Sequence, residues 1–493
     1  MSILVVDVGS SSVRASMVDP DGTVSHVHSE PVAVSSPAPS FIEGDASSVA
    51  TSVLSAARKT IAEASGWDGT TVDAVGIANQ RTTTVVWDRK SGEPVGPSIS
   101  WQDLRTVGMC LMLREQGIYL TPTESATKLA FLLDLADPDR SRDLCFGTMD
   151  SWVAWTLSSG NLHVTDATNA GVTGLRTLDG LRWDDRVTDA LRIPASVLPE
   201  VVDSSGLIGE ATALDGSPPI CGMVGDQQAS LVGQGCTLPG MAKITFGTGG
   251  FLDCCIGPQR PTFARRGAGG TFPMVAWQRA GKVTWGIEGV ILSAGSCIDW
   301  LREDLGLITD AAESDSLAAS VEDSGDVWFV PALLGMGTPV WDFGARGLFL
   351  GITRGTGRAE MVRAVLQGIA HRGSDLVEAA EEDAGITIGS LRVDGGMSAN
   401  VTFIQCLADY SGRTVEVARV TECTTLGAAY MAGMELGTWR DENEVAAAWR
   451  PKHVVEPRLT ENARLAVRAR WIGARDRARE TVPELSSVQF WDT

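Results

Sequence analysis

Ile3-Leu4-Val5-Val6-Asp7-Val8-Gly9-Ser10-Ser11-Ser12-Val13-Arg14-Ala15-Ser16-Met17-Val18-Asp19 opens the chain. A β-branched apolar run meets a turn of small residues, a second strand pattern follows, and Asp19-Pro20-Asp21-Gly22 closes it. This predicts a hairpin with a carboxylate, Asp7, at the end of its first strand. The theme returns as Ala242-Lys243-Ile244-Thr245-Phe246-Gly247-Thr248-Gly249-Gly250-Phe251-Leu252. Two strand–(Gly, Ser/Thr)–strand units, one opening each half, read as an internal duplication. Gly233-Gln234-Gly235 and Leu238-Pro239-Gly240 supply boundary turns before the second copy, dividing the chain into 1–240 and 241–493.

Between and after the hairpins, helix and strand patterns alternate. Residues 46–64 carry Val49, Val53, Leu54, Ala57 and Ile61 at helical spacing, followed by short strands at 72–78 and 83–87. The second half predicts a long helix over 361–381, a strand at Leu391-Arg392-Val393, and a helix over 400–410. The pattern is α/β, with ligands expected at strand ends between two lobes.

Composition narrows the function. With 61 Asp and Glu against 40 Lys and Arg, the formal charge is −21. That argues against a nucleic-acid or anionic-membrane surface, both of which need a basic footprint. It leaves room for a nucleotide held by backbone N–H groups. The start shows no basic, apolar leader, and no apolar run approaches the ~18 residues of a spanning helix, so a cytoplasmic protein is expected. Nine dispersed cysteines without a C-x-x-C spacing read as buried small hydrophobes rather than a disulfide or zinc framework.

Three small-residue turns follow predicted strands: Gly9-Ser10-Ser11-Ser12, Gly247-Thr248-Gly249-Gly250, and Asp394-Gly395-Gly396-Met397-Ser398-Ala399-Asn400. One alone is ordinarily a tight turn. Three in one chain, two of them repeat-related and one opening a helix, point to a cleft for phosphates. None is a Walker A loop or G-x-G-x-x-G. Asp7 reads either as a Mg²⁺ partner acting through water or as a turn-capping carboxylate. Arg14 would pair with a phosphate or with Asp7. Asp226, in Gly225-Asp226-Gln227-Gln228, reads as a helix N-cap or as a base accepting a hydroxyl proton. Arg81, in Asn79-Gln80-Arg81-Thr82, suits a polyol or a polar surface loop. Trp101 and Trp341 suit stacking on a sugar, although most of 15 tryptophans must be core.

These residues resemble the FGGY carbohydrate kinases, most closely the glycerol kinase branch, nearly end to end. The matches include Asn79-Gln80-Arg81, Trp101-Gln102 with Arg105-Thr106, Thr127-Lys128, Gly147-Thr148-Met149-Asp150-Ser151-Trp152 and Gly225-Asp226-Gln227-Gln228-Ala229. They continue through Pro239-Gly240-Met241-Ala242-Lys243, Gly247-Thr248-Gly249, Leu391-Arg392-Val393-Asp394-Gly395-Gly396 and Thr424-Thr425-Leu426-Gly427-Ala428-Ala429-Tyr430. The resemblance implies the two-lobed actin-like ATPase (ribonuclease H-like) fold with an interlobe cleft, and ATP- and Mg²⁺-dependent phosphorylation of a primary hydroxyl of a small polyol or sugar. It implies that 1–240 carries the acceptor site and catalytic base, and 241–493 the nucleotide site. Asp226 would be the base and Gln227 a substrate contact. Asp7 would be the Mg²⁺ partner, with Ser10, Ser11 and Arg14 near the phosphates. Gly247, Thr248 and Gly249 would form the second phosphate loop. Gly295, Asp299, Gly396, Met397 and Asn400 would surround the nucleotide, and Arg81 and Trp101 would line the acceptor pocket. A homodimer or homotetramer stays open.

Two departures bear on the acceptor. Thr82 stands where the glycerol kinase pattern has Glu, and Thr123 where it has a pocket Tyr. Losing a charge-assisted hydrogen bond costs about 1.5–3 kcal/mol, and the smaller side chains widen the pocket. A longer acceptor (tetritol, pentitol or pentulose) is therefore the alternative within the kinase reading, and a non-catalytic sugar-sensing homologue the alternative outside it. Asp215-Gly216-Ser217-Pro218-Pro219 lacks the Arg that binds fructose bisphosphate in many bacterial relatives, so that inhibition is expected to be absent. Thr82→Glu with Thr123→Tyr should raise kcat/KM for glycerol about tenfold; unchanged or poorer glycerol kinetics would contradict the reading.

Overall fold

Burial along Ile3–Val8 decides how the first half is layered. Ile3 and Val5 pack into one apolar cluster, Leu4, Val6 and Val8 into another. A strand buried on both faces needs helices on both. The computed structural model describes residues 1–68, 71–180, 182–420, 422–488 and 490–491. Its large sheet contains β1 (Ile3–Val8), β2 (Ser12–Val18), β3 (Val24–Pro31), β4 (Ala74–Asn79), β5 (Ser205–Glu210), β6 (Pro219–Gly225), β7 (Ala242–Phe246), β8 (Gly250–Gly257), β9 (Phe272–Arg279), β10 (Lys282–Ile291), β11 (Ser390–Asp394), β12 (Thr414–Ala418) and β13 (Pro451–Val455). Their order is β13-β12-β11-β7-β8-β10-β9-β5-β6-β4-β1-β2-β3.

The duplication is visible in the pairing. β1–β2–β3 are antiparallel neighbours, while β4 runs parallel to β1 and β6 parallel to β4. Likewise β7–β8–β10 are antiparallel, β11 runs parallel to β7 and β12 parallel to β11. The two half-sheets meet where β5 and β9 share the single pair Ser205–Arg279.

The helices that position the site are α1 (Ala46–Asp68), α2 (Asp226–Gly233), α3 (Gly295–Glu303), α4 (Arg358–Ala384), α5 (Val401–Ser411), α6 (Cys423–Leu436) and α7 (Glu461–Arg477). α1 covers Leu4, Val6 and Val8 through Val49, Val53 and Ala57. α2 and α6 cover the opposite face, against Ile3, Val5, Ala74 and Ala78. α4 and α5 pack on Ile244 and Phe246 of β7. α4 extends past the expected 361–381 because its ends are set by local chemistry rather than by periodicity. Gly357 N donates to Glu360 Oε2 at its start, and Gly385 closes it at φ 64°.

α2 and α6 touch backbone to backbone. A Cβ on Gly427 would stand 1.8 Å from the carbonyl oxygen of Ala229, and one on Gly233 would stand 1.8 Å from that of Cys423. On the sheet side, a Cβ on Gly76 would lie 2.7 Å from the Ala428 carbonyl oxygen. Helix propensity alone would favour Ala at 427 by about 1 kcal/mol. Overpacking against an immobile carbonyl costs about 1–3 kcal/mol or more and should win. Gly427→Ala is therefore expected to lower the midpoint of thermal unfolding; a rise would contradict the packing described.

Candidate active site

Register aligns the strand ends that carry the polar residues. Val8 of β1 lies beside Asn79 of β4, and Asn79 beside Gly225 of β6. Gly9-Ser10, Gln80-Arg81 and Asp226-Gln227 therefore leave the sheet side by side, at the carboxyl ends of parallel strands where α/β folds bind ligands. Gln80 ties them together. Its Nε2 donates to Gly9 O at 3.2 Å, and its Oε1 accepts from Ser10 Oγ at 3.1 Å and from Thr83 Oγ1 at 3.2 Å. Trp101 Nε1 donates to Ser10 Oγ at 3.0 Å, which fixes the indole against the first turn.

These residues border a cavity of about 630 Å³, within the range of small-molecule sites. Ser10, Arg81, Thr82, Trp101, Thr123, Asp226, Gln227 and Trp341 all line it. Arg81 is inside rather than on a surface loop, its Nη2 2.7 Å from Glu288 Oε2 and its Nε 3.5 Å from Asp226 Oδ1. Thr82 holds φ 59°, a left-handed conformation that strains a β-branched residue. Hydrogen bonds to its carbonyl oxygen from Ser125 Oγ (3.0 Å) and Thr84 Oγ1 (3.1 Å) secure it.

Asp226 is the first residue of α2, and Gly225 takes the N-cap position, so Asp226 is not a plain cap. One of its oxygens accepts from Gln227 N at 2.8 Å. Burial raises its pKa, with Arg81 opposing. Buried Lys243 donates to Gln227 Oε1 at 2.8 Å and pairs with buried Asp253 at 2.6 Å. A lysine only donates, so it is the amide oxygen of Gln227, a residue of the cavity wall, that is turned to Lys243.

Asp7 stands opposite Arg14 in the first hairpin. Burial pushes its carboxyl up to about 7, Asp226 and Glu422 add to this, and Arg14 opposes. The Arg14 guanidinium itself pairs with Glu422, at the start of α6, rather than with Asp7. Ser11 is exposed, its carbonyl oxygen accepting from Val32 N at 2.9 Å.

Of the residues assigned to the nucleotide, Gly247, Thr248, Gly249, Gly295 and Gly396 come together around the second hairpin turn, and none of them lines the cavity. Gly247 and Thr248 are exposed. Gly295 N, opening α3, donates to Gly247 O at 2.9 Å, and Ala294 N donates to Thr248 O at 2.8 Å. A Cβ on Gly249 would lie 2.5 Å from the Ile291 carbonyl oxygen. Gly395, at φ 87°, lies against Phe246, bringing Gly396 beside this turn while Met397 turns into the core. Asn400 caps α5 through Phe403 N at 2.8 Å and donates to Ser314 Oγ at 3.1 Å. Asp299 is exposed on α3, bonded to Arg302 at 3.0 Å.

Four groups at the site escape a reading of local sequence. Glu288, Lys243 and Asp253 sit in apolar strands, where only the register of the β7–β8 hairpin pairs Lys243 with Asp253 and only the fold brings Glu288 to Arg81. Glu124 lines the cavity, its pKa raised by burial, and accepts from Thr121 N at 2.6 Å. Only the cost of burying such groups unpaired could have marked them. All nine cysteines are free and buried. Among the described residues, no three His, Cys, Asp or Glu side chains converge as a metal site, and no helix is long and apolar enough to cross a membrane.

A two-lobed α/β body with small-residue turns at aligned strand ends and a carboxylate at a helix start has the architecture of a sugar-kinase fold. The chain belongs to the FGGY family of carbohydrate kinases, matching its N-terminal domain over residues 2–233 and its C-terminal domain over 242–436. It is 42% identical over 492 residues to a glycerol kinase of Dechloromonas aromatica, covering 97% of each chain. It is 40% identical to glycerol kinase 2 of Thermotoga maritima, covering 95% of this chain and 97% of that one. The crystal structure of Plasmodium falciparum glycerol kinase with ADP superposes with a TM-score of 0.89 at 29% identity, over 97% of this chain and 98% of that one.

Because the folded pKa of Asp7 lies above its ordinary 3.8, its ionised form costs stability. That cost appears as pH rises through 3.8 and is complete above about 7. Asp7→Asn should raise the unfolding midpoint of the ligand-free protein at pH 8 and leave it nearly unchanged at pH 3.5. The limit is about 4 kcal/mol, which partial access to cleft water reduces. Equal effects at both pH values would refute the burial argument.

Proposed function

We propose that the chain is a kinase of the glycerol kinase type, transferring the γ-phosphoryl group of ATP to a primary hydroxyl of a small polyol. The carrying observation is Asp226, a half-buried carboxylate at the first turn of α2 that borders the cavity alongside Arg81, Trp101 and the Ser10 turn. Burial makes Asp226 a stronger proton acceptor than an exposed aspartate. The acceptor oxygen forms its bond to the γ-phosphorus as the bond to the ADP oxygen breaks, and the hydroxyl proton passes to the Asp226 carboxylate. Arg81, Gln227 and Glu124 would hydrogen-bond the remaining hydroxyls. The apolar walls would exclude water from the transfer.

The turns at Gly9–Ser11 and Gly247–Gly249 would hold the phosphates through backbone N–H groups, with the nucleotide extending toward Gly295, Asp299, Gly396, Met397 and Asn400. Asp7 suits Mg²⁺: an oxygen donor whose proton affinity is raised by burial and by neighbouring carboxylates gains from an adjacent cation. Bound there, the ion would supply neutralisation of phosphate charge. On this reading 1–240 brings the base and most polar acceptor contacts, and 241–493 brings the nucleotide turns and a second wall of the cavity.

The acceptor class follows from the relatives together with the cavity. Relatives named glycerol kinase match nearly the whole chain at 40–42% identity. The volume of about 630 Å³, with threonines at 82 and 123 in its wall, also supports acceptors longer than glycerol. A transfer assay with labelled ATP across glycerol, tetritols, pentitols and pentuloses tests the reading. A general base contributes ~10²–10⁴-fold, so Asp226→Asn should lower kcat by that factor while ATP still binds. Near-native turnover in that variant would reject Asp226 as the base.

A further inference from the structure

The last described residues of the chain end at the acceptor cavity. The segment before them is anchored on the loop around Asp342. Glu480 N donates to Asp342 Oδ2 at 2.8 Å, Ser486 Oγ to Asp342 Oδ1 at 2.6 Å, and Val482 N to Gly344 O at 2.9 Å. From this anchor Phe490 and Trp491 enter the cavity lining. The Trp491 ring centroid lies 5.0 Å from that of Phe272 and 4.7 Å from that of Trp341, and Phe490 lies 5.8 Å from Phe343. Arg266 sits 5.7 Å from the Trp491 ring. Phe490 also packs against the apolar cluster of the first half that contains Leu113, Leu120 and Val187.

Ordering a segment without secondary structure costs conformational entropy that its contacts must offset. Here two aromatic side chains, half-buried, complete a cage with Phe272, Trp341 and Phe343. The cavity wall thus combines charged groups, Arg81, Asp226 and Glu288, with aromatic rings, and Phe272 stands beside Glu288 in the register of β9 and β10. Rigid rings give a wall that does not yield to a longer ligand and that stacks on the C–H face of a polyol.

We propose that Phe490 and Trp491 form a wall of the acceptor cavity and set the length of alcohol accepted; this rests on the kinase reading above. The two residues are specificity determinants and take no part in proton or phosphoryl transfer. Their loss opens the cavity, so a short acceptor is held less firmly and a longer one gains room. A single methylene fitted or lost in an apolar pocket changes discrimination about 10–200-fold, which sets the scale expected for two rings.

Full-length Phe490→Ala/Trp491→Ala and Trp491→Phe variants are compared with the unmodified chain on glycerol, a tetritol and a pentitol. The double variant should raise the pentitol-to-glycerol ratio of kcat/KM tenfold or more, chiefly through acceptor KM, with KM for ATP within about twofold; Trp491→Phe should restore most of the original ratio. A purely structural tail would lower kcat on every acceptor alike, and an unchanged ratio overturns the proposal. Hydrogen exchange over 483–491 provides a readout independent of folding of the double variant and of turnover. In Asp226→Asn with ATP and the three alcohols in turn, at least one should slow exchange of that segment about tenfold. Unaltered exchange with all three overturns the proposal even where phosphoryl transfer is established. Slowed exchange without transfer to any alcohol by the unmodified protein rejects the kinase reading and leaves the tail as part of the binding wall.

Discussion

The crossing of α2 and α6 constrains everything that the cleft contains. Their backbones approach so closely that Gly233 and Gly427 have no room for a Cβ, and the pair covers one face of β1, β4 and β6. Glycine at such contacts trades helix propensity for approach distance, and the exchange is favourable only when the approach fixes something. Here it fixes the start of α2, hence Asp226, relative to the Gly9–Ser10 turn. It also brings the start of α6 up to the first hairpin, where Glu422 pairs with Arg14. A shift of one helix along the other would move a carboxylate out of the row formed by the ends of β1, β4 and β6.

Charge placement refines what that packing sets out. Asp7 and Asp226 are half-buried, and the burial raises both pKa values, while Arg81 is shared between Asp226 and Glu288. Removing one partner of such a set leaves the others buried and unpaired, a cost that keeps the set together. Lys243 acts at one remove: pinned by Asp253, it orients the amide of Gln227. The site is pre-arranged by contacts that lie behind it, as sites that depend on fixed dipoles require.

Local sequence exposes half of this arrangement. The two hairpins, the strand before Asp226 and the polar run at Asn79–Thr82 announce themselves because each is a break in an apolar pattern at a strand end. Arg81 was legible as a polar residue at such an end, but its partner Glu288 was not, since the two are joined only by folding the second half onto the first. Lys243 and Asp253 face each other across the β7–β8 hairpin, a pairing that needs the strand register and not only the apolar pattern. Arg14 reads as a phosphate or Asp7 partner because it stands on the return strand of the hairpin, close to Asp7 and the small-residue turn; Glu422 enters from a distant part of the chain. Glu124 was hidden by its ordinary setting at the start of a helix, and the aromatic pair at 490–491 by its place in a polar tail.

Ribosomes deliver this protein from one end, and α6 comes late. Until residues 423–436 have emerged, one flank of the N-terminal sheet, with Ile3, Val5 and Ala78, has only α2 of its two covering helices and presents apolar surface to solvent. Nascent chains with such an open flank are prone to associate with one another or to engage chaperones. The first 240 residues therefore cannot reach their finished state until α6 has emerged, and cutting the gene between the lobes would leave that flank without one of its two covering helices.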